Sequence, residues 1–242
     1  MIEVKSVVLI GGTFSNLVTA IELSQTHHIT LIELNAEIGL PSISPGYIQN
    51  QEPLTKYLTP KQIKFLQLYA FEDGFTLRSE WGLKHLAVHA AMKGVEIFTR
   101  TRITQCVETS NGFSIEFQGA GPNSSGRVDC HTLIDDTQWT YQAPGAKHHT
   151  LPDSSKIHTP EFGTFCQMHG GTALKNDCVG IPDGTTTLPR FEGLTEVWQT
   201  SENWVPKKGW IETIDCFLPT LVEKRSIDVQ INEGRRISQL LK

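Results

Sequence analysis

The arrangement in this 242-residue chain most able to do chemistry is a glutamate set about 20 residues beyond a glycine turn. The turn is Gly11-Gly12-Thr13-Phe14-Ser15-Asn16. It follows a β-branched run over residues 4–10 and precedes Leu17, Ala20, Ile21 and Leu23, which recur at helical spacing. Such a turn delivers free backbone N–H groups and the positive end of a helix dipole to an anion. A second strand, residues 29–32, ends at Glu33 and Leu34. An acid in that place accepts hydrogen bonds from a ribose hydroxyl. The unit therefore cradles the ADP half of a dinucleotide. Gly11, Gly12, Thr13, Phe14, Ser15, Glu33 and Leu34 are the candidate binding residues.

The turn departs from G-x-G-x-x-G in two places. Gly11 holds the first position, but Thr13 replaces the second glycine and Asn16 the third. Thr13 adds bulk beside the phosphate position and brings a hydroxyl that can donate to it. Asn16 either pushes the helix from the strand or packs where the neighbouring chain leaves room.

The elements that must hold this turn read as an α/β fold. Leu83, Leu86, Ala87, Ala90 and Ala91 form a helical stretch, followed by Gly94 and a strand over residues 95–98. Residues 103–117 read as a hairpin around Asn111-Gly112. After a loop at 119–126, residues 128–135 read as a buried strand returning to the sheet. The hydrophobic share of 38% with 19% charged residues fits a sizeable core, and a net charge of -5 gives no reason to expect nucleic acid. No apolar run reaches the about 20 residues a membrane span needs. The five cysteines are scattered without a CxxC pair, which suits a reducing cytoplasm. Cys166, His169 and Cys178, with His148, His149 and His158, match no metal-site spacing, so no metal is expected.

With these residues in place, the chain resembles FAD-dependent oxidoreductases of the glutathione-reductase-like fold, in the branch of geranylgeranyl reductases, aromatic hydroxylases and flavin halogenases. The stretch VVLIGGTFSNLVTAIELSQTHHITLIELNAEIGLPSISPGYI follows that branch's opening. Gly39 stands where such flavoproteins carry a glycine after the ribose acid, and residues 41–46 look like the loop that passes near the flavin. That loop favours FAD over NAD. The resemblance implies that Arg78 approaches the pyrophosphate and that backbone groups around Ile103 flank the adenine. It also implies that Asp215, in Thr213-Ile214-Asp215-Cys216, binds the ribityl chain. A closing helix with Gly234 at its centre then packs beneath the flavin; a glycine inside a helix costs about 1 kcal/mol and signals close packing. Gln138 and Ile214 stand at two further positions where the family has glycine.

The resemblance implies a Rossmann-like FAD/NAD(P)-binding domain from residues 1–138 and 209–242, with a small β-rich substrate segment at 139–208. That segment has strand-like runs at 164–168 and 194–198 and carries Trp198, Trp204 and Pro206. Its shortness implies a small-molecule substrate, an open flavin, or a homo-oligomer or partner subunit that completes the site. No lysine or histidine stands out as acid or base, and flavoenzymes often need none because the cofactor carries the redox chemistry. Two readings stay open: an FAD-dependent oxidoreductase on a small organic substrate, and a non-catalytic subunit that keeps the fold as a binding or assembly partner.

Overall fold

The computed structural model describes residues 5–41, 43–119, 124–139, 147–201 and 203–242. Position 4 of the first expected strand, position 42 of the expected flavin loop, part of the 119–126 loop and the start of the substrate segment lie outside the described residues.

The opening unit is β1 (Ser6–Ile10), α1 (Phe14–Leu23) and β2 (His28–Ile32). An excursion follows, made of β3 (Tyr47–Ile48), α2 (Glu52–Thr55), α3 (Pro60–Phe65), β4 (Tyr69–Phe71) and β5 (Gly74–Thr76). Then come α4 (Ser79–Met92) and β6 (Glu96–Phe98). The strands β7 (Thr101–Thr109), β8 (Gly112–Gly119) and β9 (Ser125–Cys130) form an antiparallel meander, and β10 (Thr132–Asp135) returns to the first sheet. The last elements are β11 (Phe165–Leu174), β12 (Thr186–Pro189), β13 (Leu194–Gln199), β14 (Glu212–Pro219) and α5 (Ile227–Leu241).

Four parallel strands in the order β10-β1-β2-β6 form the central sheet. Both its faces are covered, which is why β1 and β2 are apolar almost throughout. Val7, Leu9, Ile29, Leu31 and Ile134 pack with residues of α1, α4 and α5. Val8, Ile10, Ile32 and Leu133 pack with Ile103, Phe113 and Ile115 of the meander. Every residue of α1 except Glu22 is buried. Among the described residues no helix is long and apolar enough to cross a membrane.

A second sheet, β12-β13-β11-β14, is antiparallel throughout. Its inner face places Met168, Trp198, Ile214, Cys216 and Leu218 against Trp139, Phe162 and Val229 of α5.

Two differences from the sequence expectations have physical reasons. The run 128–135 is two strands: Cys130 ends the meander, and after a bend at His131 the chain enters the parallel sheet. Residues 212–219 pair with β11 in the second sheet, so within 209–242 the helix α5 returns to the nucleotide unit and the strand does not. The side chains of Ile214, Cys216 and Leu218 are buried, alternating with the exposed Thr213, Asp215 and Phe217. Period-two alternation suits a half-exposed antiparallel strand, whereas a central parallel strand is buried on both faces.

Candidate functional site

The glycine turn forms where β1 hands over to α1. Gly11 adopts φ +98, and a Cβ there would stand 2.9 Å from the Asp136 carbonyl oxygen, so this position needs glycine. Thr13 is the N-cap of α1, its hydroxyl accepting from the Asn16 N–H at 3.2 Å and donating to Asp136 Oδ2. Asn16 is fully buried and donates through Nδ2 to the carbonyls of Ile10 (2.8 Å) and Gly11 (3.0 Å). Asn16 thus ties helix to strand. The close helix packing lies instead at Gly234 of α5, where a Cβ would stand 2.3 Å from the Ser15 carbonyl oxygen.

Glu33 closes the other side of the turn. Its carboxylate accepts from the N–H groups of Gly12 and Asn35, each at 2.7 Å, and is only 7% exposed. Burial pushes Glu33 up from the usual carboxylate range, opposed by those N–H groups. Leu34 follows it, half-buried. Asp136 lies at the same turn; complete burial pushes its carboxyl well above the usual range, against the pull of the Thr13 hydroxyl. Four buried polar atoms gathered at this turn lack a close hydrogen-bond partner among the described residues: Ser15 Oγ, Asn16 Oδ1, Asp136 Oδ1 and Trp139 Nε1, the last two facing one another. Orphaned buried groups of this kind are rare and point to a ligand. Thr13, Phe14, Ile43, Ser44, Trp139 and Gln230 close over the turn, leaving a cavity of about 10 Å³.

A larger cavity of about 530 Å³ lies beyond it, bordered by Pro45, Tyr47, Trp198, Arg225 and Ser226 at the start of α5. Tyr47 donates to Asp73 Oδ1 at 2.8 Å, and burial followed by that carboxylate pushes its hydroxyl up to about 12. Arg225 is engaged by the carbonyls of Pro219 (2.7 Å) and Thr220 (3.4 Å). The loop leading to this cavity is pinned at Gly46, whose N–H donates to Glu196 Oε1 (3.0 Å) and whose carbonyl accepts from Arg190 (3.0 Å). Arg190 and Glu196 form a buried ion pair, and the Trp198 indole donates to the same Glu196 oxygen at 2.5 Å.

Gly11, Gly12, Thr13, Phe14, Ser15 and Glu33 are therefore together. Two other expected residues have partners of their own. Arg78 sits at the N-cap position of α4, bonded to Glu80 at 2.5 Å and stacked 3.9 Å over the Trp81 ring. Asp215, on the exposed face of β14, pairs with His169 Nδ1 at 2.8 Å. Ile103 lies near Glu33, since the N–H of Thr101 donates to the Glu33 carbonyl at 3.0 Å. Both backbone groups of Ile103 are in use. Its N–H donates to His149 Nδ1 (2.8 Å), and its carbonyl accepts from the Thr150 N–H (3.1 Å). Sequence reading gives no role at this site to Asp136, Trp139, Gln230 or His149: Gln230 is a polar residue inside α5, and His149 is weighed only as a metal ligand.

His149 carries a pH signature. Burial first, then the neighbouring His148 and Arg102 side chains, pull its imidazole down to about 4. The neutral ring is the form that accepts from Ile103, so this contribution is complete above the unfolded value near 6.5 and is lost as pH falls toward 4. The loss amounts to about 3 kcal/mol. Urea unfolding at pH 7 and pH 4.5 tests it against His149→Gln, whose amide oxygen accepts without titrating. The native chain is expected to weaken more; equal weakening would refute the role.

No protein-family model matches the chain, and no curated protein matches it in sequence. Its backbone superposes on a geranylgeranyl bacteriochlorophyll reductase-like protein from Thermoplasma acidophilum with a TM-score of 0.64 at 13% identity, over 98% of this chain and 77% of that one. A flavoprotein/dehydrogenase from Cytophaga hutchinsonii gives 0.62 at 12% identity, over 99% and 79%. Glycine oxidase from Geobacillus kaustophilus gives 0.61 at 10% identity, over 98% and 95%. This chain has their fold. It is a Rossmann-like FAD/NAD(P)-binding fold with a small β-rich sheet packed beside it.

Proposed function

We propose that this chain is an FAD-dependent oxidoreductase acting on a small organic substrate. The observation that carries the reading is the group of buried polar atoms without a close partner among the described residues, Ser15 Oγ, Asn16 Oδ1, Asp136 Oδ1 and Trp139 Nε1, at the α1 N-terminus beside the Gly11 turn and Glu33. The donor set fits the ribose and pyrophosphate of a dinucleotide. Glu33 would accept from ribose hydroxyls with its remaining lone pairs. The α1 N-terminus and the Ser15 hydroxyl would hold phosphate oxygens. Asp136, whose burial favours the neutral carboxyl, would in that form donate to a phosphate oxygen where an ionised carboxylate would repel it.

Bound FAD would supply hydride or electron transfer. The chain's own part is to bind, orient and exclude water. Trp198, Pro45 and Tyr47 would shape the cavity of about 530 Å³ around the substrate, a volume within the ordinary range for small-molecule pockets. The tight closure over the turn favours the alternative of a non-catalytic subunit that keeps the fold.

One experiment decides between them. The purified chain is incubated with FAD, freed of excess, and its visible spectrum recorded. A flavin spectrum with one FAD per chain is expected, and Glu33→Gln is expected to weaken retention about tenfold or more, since it removes the charge from a ribose acceptor. A colourless protein after incubation sinks the oxidoreductase reading.

A further inference from the structure

The residues 147–150 lie against the very backbone groups that a bound base would use. Ile103 belongs to β7, two residues beyond Thr101, whose N–H donates to the Glu33 carbonyl at 3.0 Å. Ligands in folds of this kind bind beyond the carboxyl ends of the parallel strands. Glu33 and Asp136 mark those ends here, directly after β2 and β10. A nucleotide whose ribose meets Glu33 therefore has the Phe98–Ile103 corner as the neighbouring wall for its base.

What that wall offers is one N–H and one C=O on the same residue, and both are taken. His149 presents a ring nitrogen acceptor to the Ile103 N–H, and the next residue presents an N–H donor to the Ile103 carbonyl. An aromatic ring acceptor beside an N–H donor is the pattern an adenine edge displays through a ring nitrogen and its amino group. The pairing also spans 46 residues, so it is a tertiary contact rather than a turn.

The anchoring of this segment is uneven. Downstream, Leu151 and Ile157 pack on the Ile103, Phe113 and Leu133 cluster. His158 bonds to Leu133 and Asp135 at 3.0 and 2.8 Å, and Ser154 and Lys156 hold Glu108 at 2.6 and 2.5 Å. Upstream, Lys147 and Thr150 are exposed while His148 and His149 are part-buried, and among the described residues the two Ile103 hydrogen bonds are the polar contacts that hold the tip. Residues 147–150 can therefore lift away while 151–158 stay in place.

We infer that His149 and Thr150 are an intramolecular stand-in for adenine, displaced when the adenosine end of a dinucleotide binds. This rests on the proposed flavin reading and adds to it that the chain competes with its own cofactor at the base end. The competition acts on adenine-containing ligands only.

Binding of FAD, ADP and FMN to the full chain and to His149→Ala, followed by calorimetry, tests this. Trypsin cleavage after Lys147 is followed in parallel. His149→Ala is expected to bind FAD and ADP about tenfold more tightly, as loss of one net hydrogen bond from the competing state allows. FMN, which has no adenine, is expected to bind both proteins alike, and His149→Gln to behave as the native chain. Cleavage after Lys147 in the native chain is expected to rise on adding FAD or ADP. If the native chain binds FAD but His149→Ala gains nothing and cleavage after Lys147 is unchanged by FAD or ADP, the stand-in role is overturned and the flavin reading survives. If no variant binds FAD or FMN, both are overturned.

Discussion

Arg190→Leu is expected to lower the free energy of unfolding by about 3–5 kcal/mol, because it leaves the Glu196 carboxylate buried without its cation. The Arg190 and Glu196 side chains are only 7% and 6% exposed. Together they hold both backbone groups of Gly46. Nothing larger than glycine fits there, since a Cβ would stand 1.9 Å from the Leu77 carbonyl oxygen. Losing the pair therefore loosens the loop from the second sheet as well as stranding a charge. The double variant Arg190→Leu/Glu196→Gln is expected to recover at least half of the loss. A neutral amide oxygen can still accept from Gly46 and Trp198 without needing a cation. Urea unfolding of the two single variants and the double variant measures this. A loss below about 1 kcal/mol in Arg190→Leu, the range of an exposed pair, would show that the ion pair is not buried in solution.

The second large effect belongs to Gly234. Alanine is ordinarily better than glycine within a helix by about 1 kcal/mol. At this position the added Cβ meets the Ser15 backbone at 2.3 Å, and a backbone atom cannot rotate away as a side chain can. The Thr19 hydroxyl also donates to the Gly234 carbonyl at 3.0 Å, which fixes the spacing of the two helices. Gly234→Ala is expected to cost about 2–3 kcal/mol net, or about 5–10 °C in Tm for a chain of this size. Asn232→Ala, at an exposed position of the same helix, is the control and is expected to leave Tm unchanged or slightly raised. A Gly234→Ala protein melting with that control would rule out the close approach of α5 to α1.

What the sequence made legible follows from how local each signal is. Gly11, Glu33 and the apolar spacing of α1 lie within one strand–turn–helix–strand unit, so pattern and motif suffice to read them. Asn16 stands where the motif assigns close packing by a glycine, so from sequence it either pushes the helix away or packs where the neighbouring chain leaves room. The compensating glycine lies on α5, 215 residues beyond Thr19, where only the folded chain brings it alongside. Asp215 was placed by likeness to a family segment, although the alternation of Ile214, Cys216 and Leu218 with polar or exposed neighbours already carried the antiparallel signal. Arg190 and Glu196 sit in different strand neighbourhoods of one sheet, and no spacing rule couples them before the register is known. His149 lies in a stretch without periodicity, so its contact with Ile103 is visible only in three dimensions.

The burial of α1 has a consequence for how the chain is made. Its outward face is covered by α5, which leaves the ribosome about 200 residues after it. At translation rates of about 5–20 residues per second, that separation is about 10–40 s. During that interval Ser15 and Thr19 lack Gly234, their neighbour on that side, although the opening strand–turn–helix–strand unit is already complete. The nascent protein therefore carries its nucleotide-binding motif before it can close its core.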